Sequence, residues 1–173
     1  IYTTGGHARG QAYDDDYDLL VLLDSSDPED LVYSNWLIAR LNRKLVKRGL
    51  IPHHRCTDWT GRFVATFQEL QARLGEDDAD SFIDKCQLLG ARRVVGTRPF
   101  EGRLDRHILE PLIYRRSRHF LGAVGEEVRS RRLDRKPSEA GAVNIKEDPG
   151  GLREIEMVAL AIKSVLGLRE TSA

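Results

Sequence analysis

Two aspartates at the head of an apolar run constrain this chain most. Asp16 and Asp18 are spaced D-x-D and lead directly into Leu19 to Leu23, within GGHARGQAYDDDYDLLVLLD, Gly5 to Asp24. A short continuous apolar run closed by Ser25, Ser26 and Asp27 predicts a buried strand over Asp18 to Asp24. Side chains two apart share a strand face, so the two carboxylates should project together, about 7 Å apart. Two hard oxygen ligands beside the glycine pair Gly5-Gly6 suit a magnesium ion carrying a triphosphate.

Other readings of the stretch fail on spacing. An EF-hand loop needs Gly at its sixth position and Glu at its twelfth; counted from Asp14, those places hold Leu19 and Ser25. A P-loop would continue Gly5 to Gly10 with Lys and then Ser or Thr, and the chain has Gln11 and Ala12. The dinucleotide fingerprint G-x-G-x-x-G is absent. An acidic turn before a strand is the plain alternative, and the glycine pair weighs against it.

The rest of the first hundred residues alternates short strands and helices, as in an α/β or α+β sheet domain. Tyr2 to Gly6 reads as a lead-in to a turn. Asp27 and Pro28 open a helix whose apolar stripe is Leu31, Trp36, Leu37, Leu41 and Leu45, stopped by Gly49. Leu50 to Cys56 reads as a strand, Asp58 to Arg62 as a loop and Phe63 to Ala65 as another short strand. Thr66 and Glu69 form a capping box for a helix through Leu74. Asp78 to Leu89 is a further helix, and Ala91 to Gly96 a strand centred on Val94 and Val95. From Phe100 to about Leu133 apolar residues recur at helical spacing with arginines opposite, which reads as a solvated basic face. Ala142 to Lys146 reads as a short strand, Asp148 to Gly151 as a turn, and Leu152 to Leu166 as a last helix closed by Gly167. Two parts follow, a sheet domain over 1–98 and a helical extension over 99–173.

Lys+Arg and Asp+Glu are both 27, so no net charge draws the chain to nucleic acid, which argues against that partner. No apolar run approaches the roughly 20 residues of a membrane span, so no membrane partner is expected. Two cysteines make no disulfide framework, and the expected location is the cytoplasm. His53 and His54 should point to opposite strand faces, and His54, Cys56 and Cys86 lack the spacing of a zinc site. Trp36 and Trp59 read as packing residues. The start at Ile1, a few residues before the glycine pair, suggests a fragment of a longer polypeptide.

A second segment, Val143 to Lys163, places Lys146 before Pro149-Gly150-Gly151, and the turn opens directly into a helix. Free amides at a helix start, a lysine and a glycine turn make a natural phosphate or ribose site. Taken with the first segment, the pair resembles the nucleotidyltransferase superfamily. GGHARGQAYDDDYDLLVLLD resembles its active-site turn and strand. NIKEDPGGLREIE, Asn144 to Glu156, and QLLGARRVVGTRPF, Gln87 to Phe100, are similar to segments of bacterial protein-PII uridylyltransferases and glutamine-synthetase adenylyltransferases.

The resemblance implies an α+β fold, a nucleotidyltransferase-type mixed sheet flanked by helices with a C-terminal helical part. It implies that Asp16 and Asp18 are catalytic and hold Mg²⁺, with Mn²⁺ as an alternative ion. Gly5, Gly6, Arg9, Lys146, Gly150, Gly151 and Glu154 would contact the nucleotide. The reaction would move UMP or AMP from a nucleoside triphosphate to a protein hydroxyl and release pyrophosphate. The acceptor would be a small regulatory protein or a metabolic enzyme, in the control of nitrogen metabolism. The strand IPHHRCTD carries no acid before Arg55 where the adenylyltransferases have one, and in this it matches the uridylyltransferase branch. The alternative is a non-catalytic nucleotide-binding regulatory module of the same fold. A nucleotidyltransferase directed at RNA or a small molecule is a third reading, disfavoured by the Gly-Gly-Leu segment.

Overall fold

The computed structural model describes residues 1–8, 16–133, 144–146 and 148–168. They form two compact units, Ile1–Leu112 and Ile113–Arg169. The whole is an α+β fold: a four-stranded mixed sheet and a two-stranded sheet with flanking helices, followed by a helical region.

Unit 1 begins with β1 (Tyr2–Thr3) and a four-residue helix α1 (Gly5–Ala8), where the sequence suggests only a lead-in. The D-x-D run then forms β2 (Asp16–Leu20) and, after Val21, β3 (Leu22–Leu23). One strand was expected here, and two sheets share it. The larger sheet has the order β4-β2-β1-β6, with β4 (Ile51–His54) parallel to β2 and β1 antiparallel to both β2 and β6 (Arg92–Arg93). The smaller pairs β3 in parallel with β5 (Ala65–Thr66).

Helix α2 (Pro28–Val46) starts as its sequence dictates: the Asp27 carboxylate accepts the Glu29 N–H, Pro28 stands in the first turn, and acids face the helix dipole. Its packed face differs from the expected stripe. Ile38 is the buried residue and joins Val21 and Val64 in a core cluster flanked by Ile1, Leu31 and Phe63. Trp36, Leu37 and Leu41 are exposed, with Trp36 against Tyr33 and beneath the Arg40 guanidinium. Trp36 is therefore a surface residue and not a packing one.

Asp58 lies in a short helix, α3 (Thr57–Thr60), where a loop was expected. The capping box at Thr66 is present and starts α4 (Phe67–Gly75), which buries Leu70 and Leu74. Asp78 caps α5 (Ala79–Leu89) through the Ser81 N–H. Strand β6 is only Arg92–Arg93: the amides of Val94 and Val95 both donate to the Ile1 carbonyl, and their side chains are exposed. The expected long helical stretch divides into α6 (Arg98–Leu104), a π-helix (Asp105–Tyr114) that accommodates Pro111, and α7 (Ser117–Leu133).

In unit 2, α7 packs on α8 (Leu152–Leu166), which buries Met157, Leu160, Ala161 and Ser164. Gly167 ends α8 in the left-handed conformation, as its position foretells. Asn144 to Lys146 form a turn rather than the end of a strand; Ala142 and Val143 of that expected strand lie outside the described residues. Among the described residues no helix is long and apolar enough to cross a membrane.

Candidate functional site

The sheet register builds the site in unit 1. The Thr4 N–H donates to the Asp18 carbonyl at 2.9 Å and sets Gly5 directly over that strand position. Gly5 has φ +62°, and a Cβ there would collide with the Asp18 carboxylate at Oδ2. Only glycine satisfies both the backbone conformation and the approach. Gly6 follows in α1, and Asp16 opens β2 two positions before Asp18. Arg9 lies outside the described residues.

On the other side of Asp18 stands β4. Its parallel register pairs Asp18 with His53, and His53 Nδ1 lies 2.9 Å from Asp18 Oδ1. The second ring nitrogen, Nε2, lies 3.2 Å from Asp58 Oδ1, so one imidazole joins two carboxylates. Burial pulls the His53 pKa down, but the hydrogen bonds and charges of Asp18 and Asp58 outweigh it and leave the pKa raised. In the imidazolium form both nitrogens donate. Asp58 is anchored in turn: its Oδ2 pairs with Arg55 at 3.0 Å, Arg55 reaches Asp84 Oδ1 at 3.1 Å, and Asp84 Oδ2 accepts Arg73 Nε at 2.9 Å. The Arg55 N–H donates to the Leu19 carbonyl at 2.8 Å, which extends the β2–β4 register by one bond.

His54 faces the opposite way, as strand alternation requires. It is buried edge-on against Phe63, with Nε2 3.2 Å from the Asn42 side-chain oxygen, and burial lowers its pKa. Cys56 is buried beneath the strand with its thiol pushed up to about 12 by desolvation. These are core groups. Among the described residues no group of three or more His, Cys, Asp or Glu side chains is placed to hold a metal ion. Magnesium carrying a triphosphate asks less of a protein, namely one or two carboxylates, with phosphate and water completing its shell. Asp18, whose side chain is partly exposed, is a carboxylate of that kind, and Asp16 stands two positions earlier on its strand.

The second segment lies in unit 2 and forms a self-contained turn. A Cβ on Gly151 would meet the Ile145 and Asp148 carbonyls at 2.5 and 2.7 Å, so space requires that glycine, while Gly150 is favoured by its left-handed backbone at φ +79°. The turn also consumes amides that the sequence suggests are free: Leu152 N–H donates to the Ile145 carbonyl and Arg153 N–H to the Lys146 carbonyl, at 3.0 and 3.1 Å. Glu154 accepts the Gly150 N–H at 3.0 Å and takes a bidentate pair from Arg132 of α7 at 2.9 and 2.7 Å. The Arg132 bonds, and then the Gly150 amide, hold the Glu154 carboxyl down at about 2. Glu154 thus ties α7 to the glycine turn, and Lys146 is left exposed at its rim.

The structure therefore brings Gly5 together with Asp18, and Gly150 and Gly151 with Glu154. It adds His53 and Asp58, which sequence reasoning did not assign to the site. The available signal was weak: His53 and Asp58 are five apart, and only the β2–β4 register sets them beside Asp18. No curated protein and no solved structure matches the chain. Residues 118–173, which contain the Lys146 turn and nearly all of α7 and α8, match the family model for GlnD PII-uridylyltransferase, so this segment is similar to those enzymes.

Proposed function

We propose that the chain is a metal-dependent nucleotidyltransferase module that moves UMP or AMP from a nucleoside triphosphate to a protein hydroxyl and releases pyrophosphate. The observation that carries the reading is the closure of Gly5 on Asp18, a left-handed glycine pressed against a strand carboxylate in a D-x-D pair. The similarity of residues 118–173 to PII-uridylyltransferases supports it independently, and a small regulatory protein of the PII kind is the first acceptor to try.

In this reading Asp16 and Asp18 hold the ion, and Mg²⁺, when bound, polarises the α-phosphate. Gly5 and Gly6 keep the backbone low beside the phosphates, as side chains there would not. Within unit 2, Gly150 and Gly151 shape the turn that carries the exposed Lys146 and Glu154 fastens it; their assignment to the nucleotide comes from resemblance. Arg9 is assigned to the phosphates by resemblance alone.

The test is thermal stabilisation by UTP and ATP with and without Mg²⁺, followed by pyrophosphate release in the presence of a PII-type protein. Nucleotide should raise the melting temperature only with Mg²⁺, by mass action. The double variant Asp16→Asn/Asp18→Asn should lose both the shift and the release. Full activity in that variant would sink the assignment. Magnesium-dependent binding without pyrophosphate release would point instead to a non-catalytic nucleotide-binding regulatory module of the same fold.

A further inference from the structure

A ligand carboxylate is effective when its orientation is set before the ion arrives, because a free side chain must otherwise lose rotamer entropy on binding. Asp18 is held on both sides. Its Oδ2 lies against the Gly5 backbone, and its Oδ1 is bonded to His53 Nδ1 at 2.9 Å. His53 is itself held at its far nitrogen by Asp58 at 3.2 Å. Beyond Asp58, alternating charges run through Arg55 and the buried Asp84 to Arg73, which fixes the far end in the α4–α5 pair. A surface imidazole with no role beyond solvation would need neither neighbour nor anchor.

We propose that His53, backed by Asp58, is the positioning residue for Asp18. It fixes the carboxylate in the orientation that receives the divalent ion and stands between Asp18 and Asp58, whose like charges would otherwise repel. This rests on the reading of Asp18 as a metal ligand. Metal-ligand orientation by a second layer of hydrogen bonds is worth about 10–100-fold in metal affinity.

Two measurements test it on the whole chain. The first uses no ligand: the ¹⁵N resonances of the His53 ring should move in both Asp18→Asn and Asp58→Asn, and the urea stabilities of Asp18→Asn and His53→Ala should combine non-additively. Unmoved resonances together with additive stabilities would overturn the contact. The second titrates Mg²⁺ at fixed UTP or ATP. His53→Ala should need about tenfold more Mg²⁺ for half-maximal nucleotide binding, with nucleotide affinity at saturating Mg²⁺ unchanged. His53→Asn, whose amide can replace Nδ1, should restore the wild-type requirement; His53→Gln, which can replace only Nε2, should not. An equal Mg²⁺ requirement in wild type and His53→Ala overturns the positioning role alone. Absence of any Mg²⁺-dependent binding by the wild type overturns the metal reading and this role with it.

Discussion

Replacing Gly5 by alanine separates two costs that the structure superimposes at one atom. The first is conformational: an L-residue at φ +62° costs roughly 1–2 kcal/mol, of which up to about 1 kcal/mol is offset by the stiffer unfolded chain. The second is steric. The new Cβ would occupy the place of Asp18 Oδ2, so the carboxylate must rotate away and release its bond to His53. That bond joins partly exposed groups, 23% and 40% for the two side chains, so about 1–1.5 kcal/mol is a fair value rather than the upper end for charged pairs. Gly5→Ala should therefore cost about 2 kcal/mol. Gly61→Ala is the control, with φ +69° and open space around the added methyl, and should show only the conformational part, about 1 kcal/mol or less. Both tryptophans lie in unit 1, so urea unfolding followed by their fluorescence reports the right unit. The deciding comparison is the Asp18→Ala background. With no carboxylate to displace, the cost of Gly5→Ala should fall to that of Gly61→Ala. An identical cost in both backgrounds would refute the argument that Gly5 is glycine because of Asp18.

Two further expectations concern the supports of the site. Asp84 is buried and accepts from both Arg55 and Arg73, so Asp84→Ala should destabilise unit 1 by about 3 kcal/mol, the lower end for breaking a buried pair, because each arginine keeps another acid. A loss under about 1 kcal/mol in urea would show that the Arg55–Asp84–Arg73 chain holds nothing in place. Glu69 is held below the usual carboxylate range: burial opposes this but is outweighed by the Thr66 amide, Arg62 and the Thr66 hydroxyl. A depressed acid contributes stability above its unfolded value near 4.5 that disappears as pH falls through the folded value. Glu69→Gln keeps an acceptor for the Thr66 N–H and loses only the charge facing Arg62, so it should be about 0.5 kcal/mol less stable at neutral pH and converge on the wild type as pH falls below the ordinary carboxylate range. Parallel stability curves across that range would contradict it.

The local chemistry was legible in the sequence, and the long-range pairings were not. Asp27 with Pro28 and Thr66 with Glu69 each open a helix where their residue types require, because a cap involves only neighbours in the chain. Strand β1 was missed because two residues carry no periodicity, and it exists only through ladders to Leu19–Leu20 and Arg92–Arg93. Of the expected α2 stripe Leu31 does pack on the core beside Ile38, whereas Trp36, Leu37 and Leu41 are exposed, because period alone does not say which face meets the sheet. Val94 and Val95 looked like strand residues, yet their amides converge on one carbonyl, which ends the ladder. The D-x-D pair pointed to the candidate site, whereas Asp58 reaches Asp18's neighbour His53 from α3, just after β4, a placement that no spacing rule describes.

The division of the D-x-D run at Val21 sets a rule of parity for this chain. Leu20, Val21 and Leu22 are all buried, which a single alternating strand resting on one core cannot arrange. The change of sheet at Val21 resets the alternation, and the Val21 carbonyl marks the changeover by accepting both the Ala65 N–H and the Cys56 thiol. The count of residues between Asp18 and Leu22 is consequently tied to two sheets at once. One residue inserted or deleted there would leave the composition almost untouched and would turn either Leu22 out of the small sheet or Asp18 away from Gly5. Substitutions in this stretch should be tolerated far better than any change in its length.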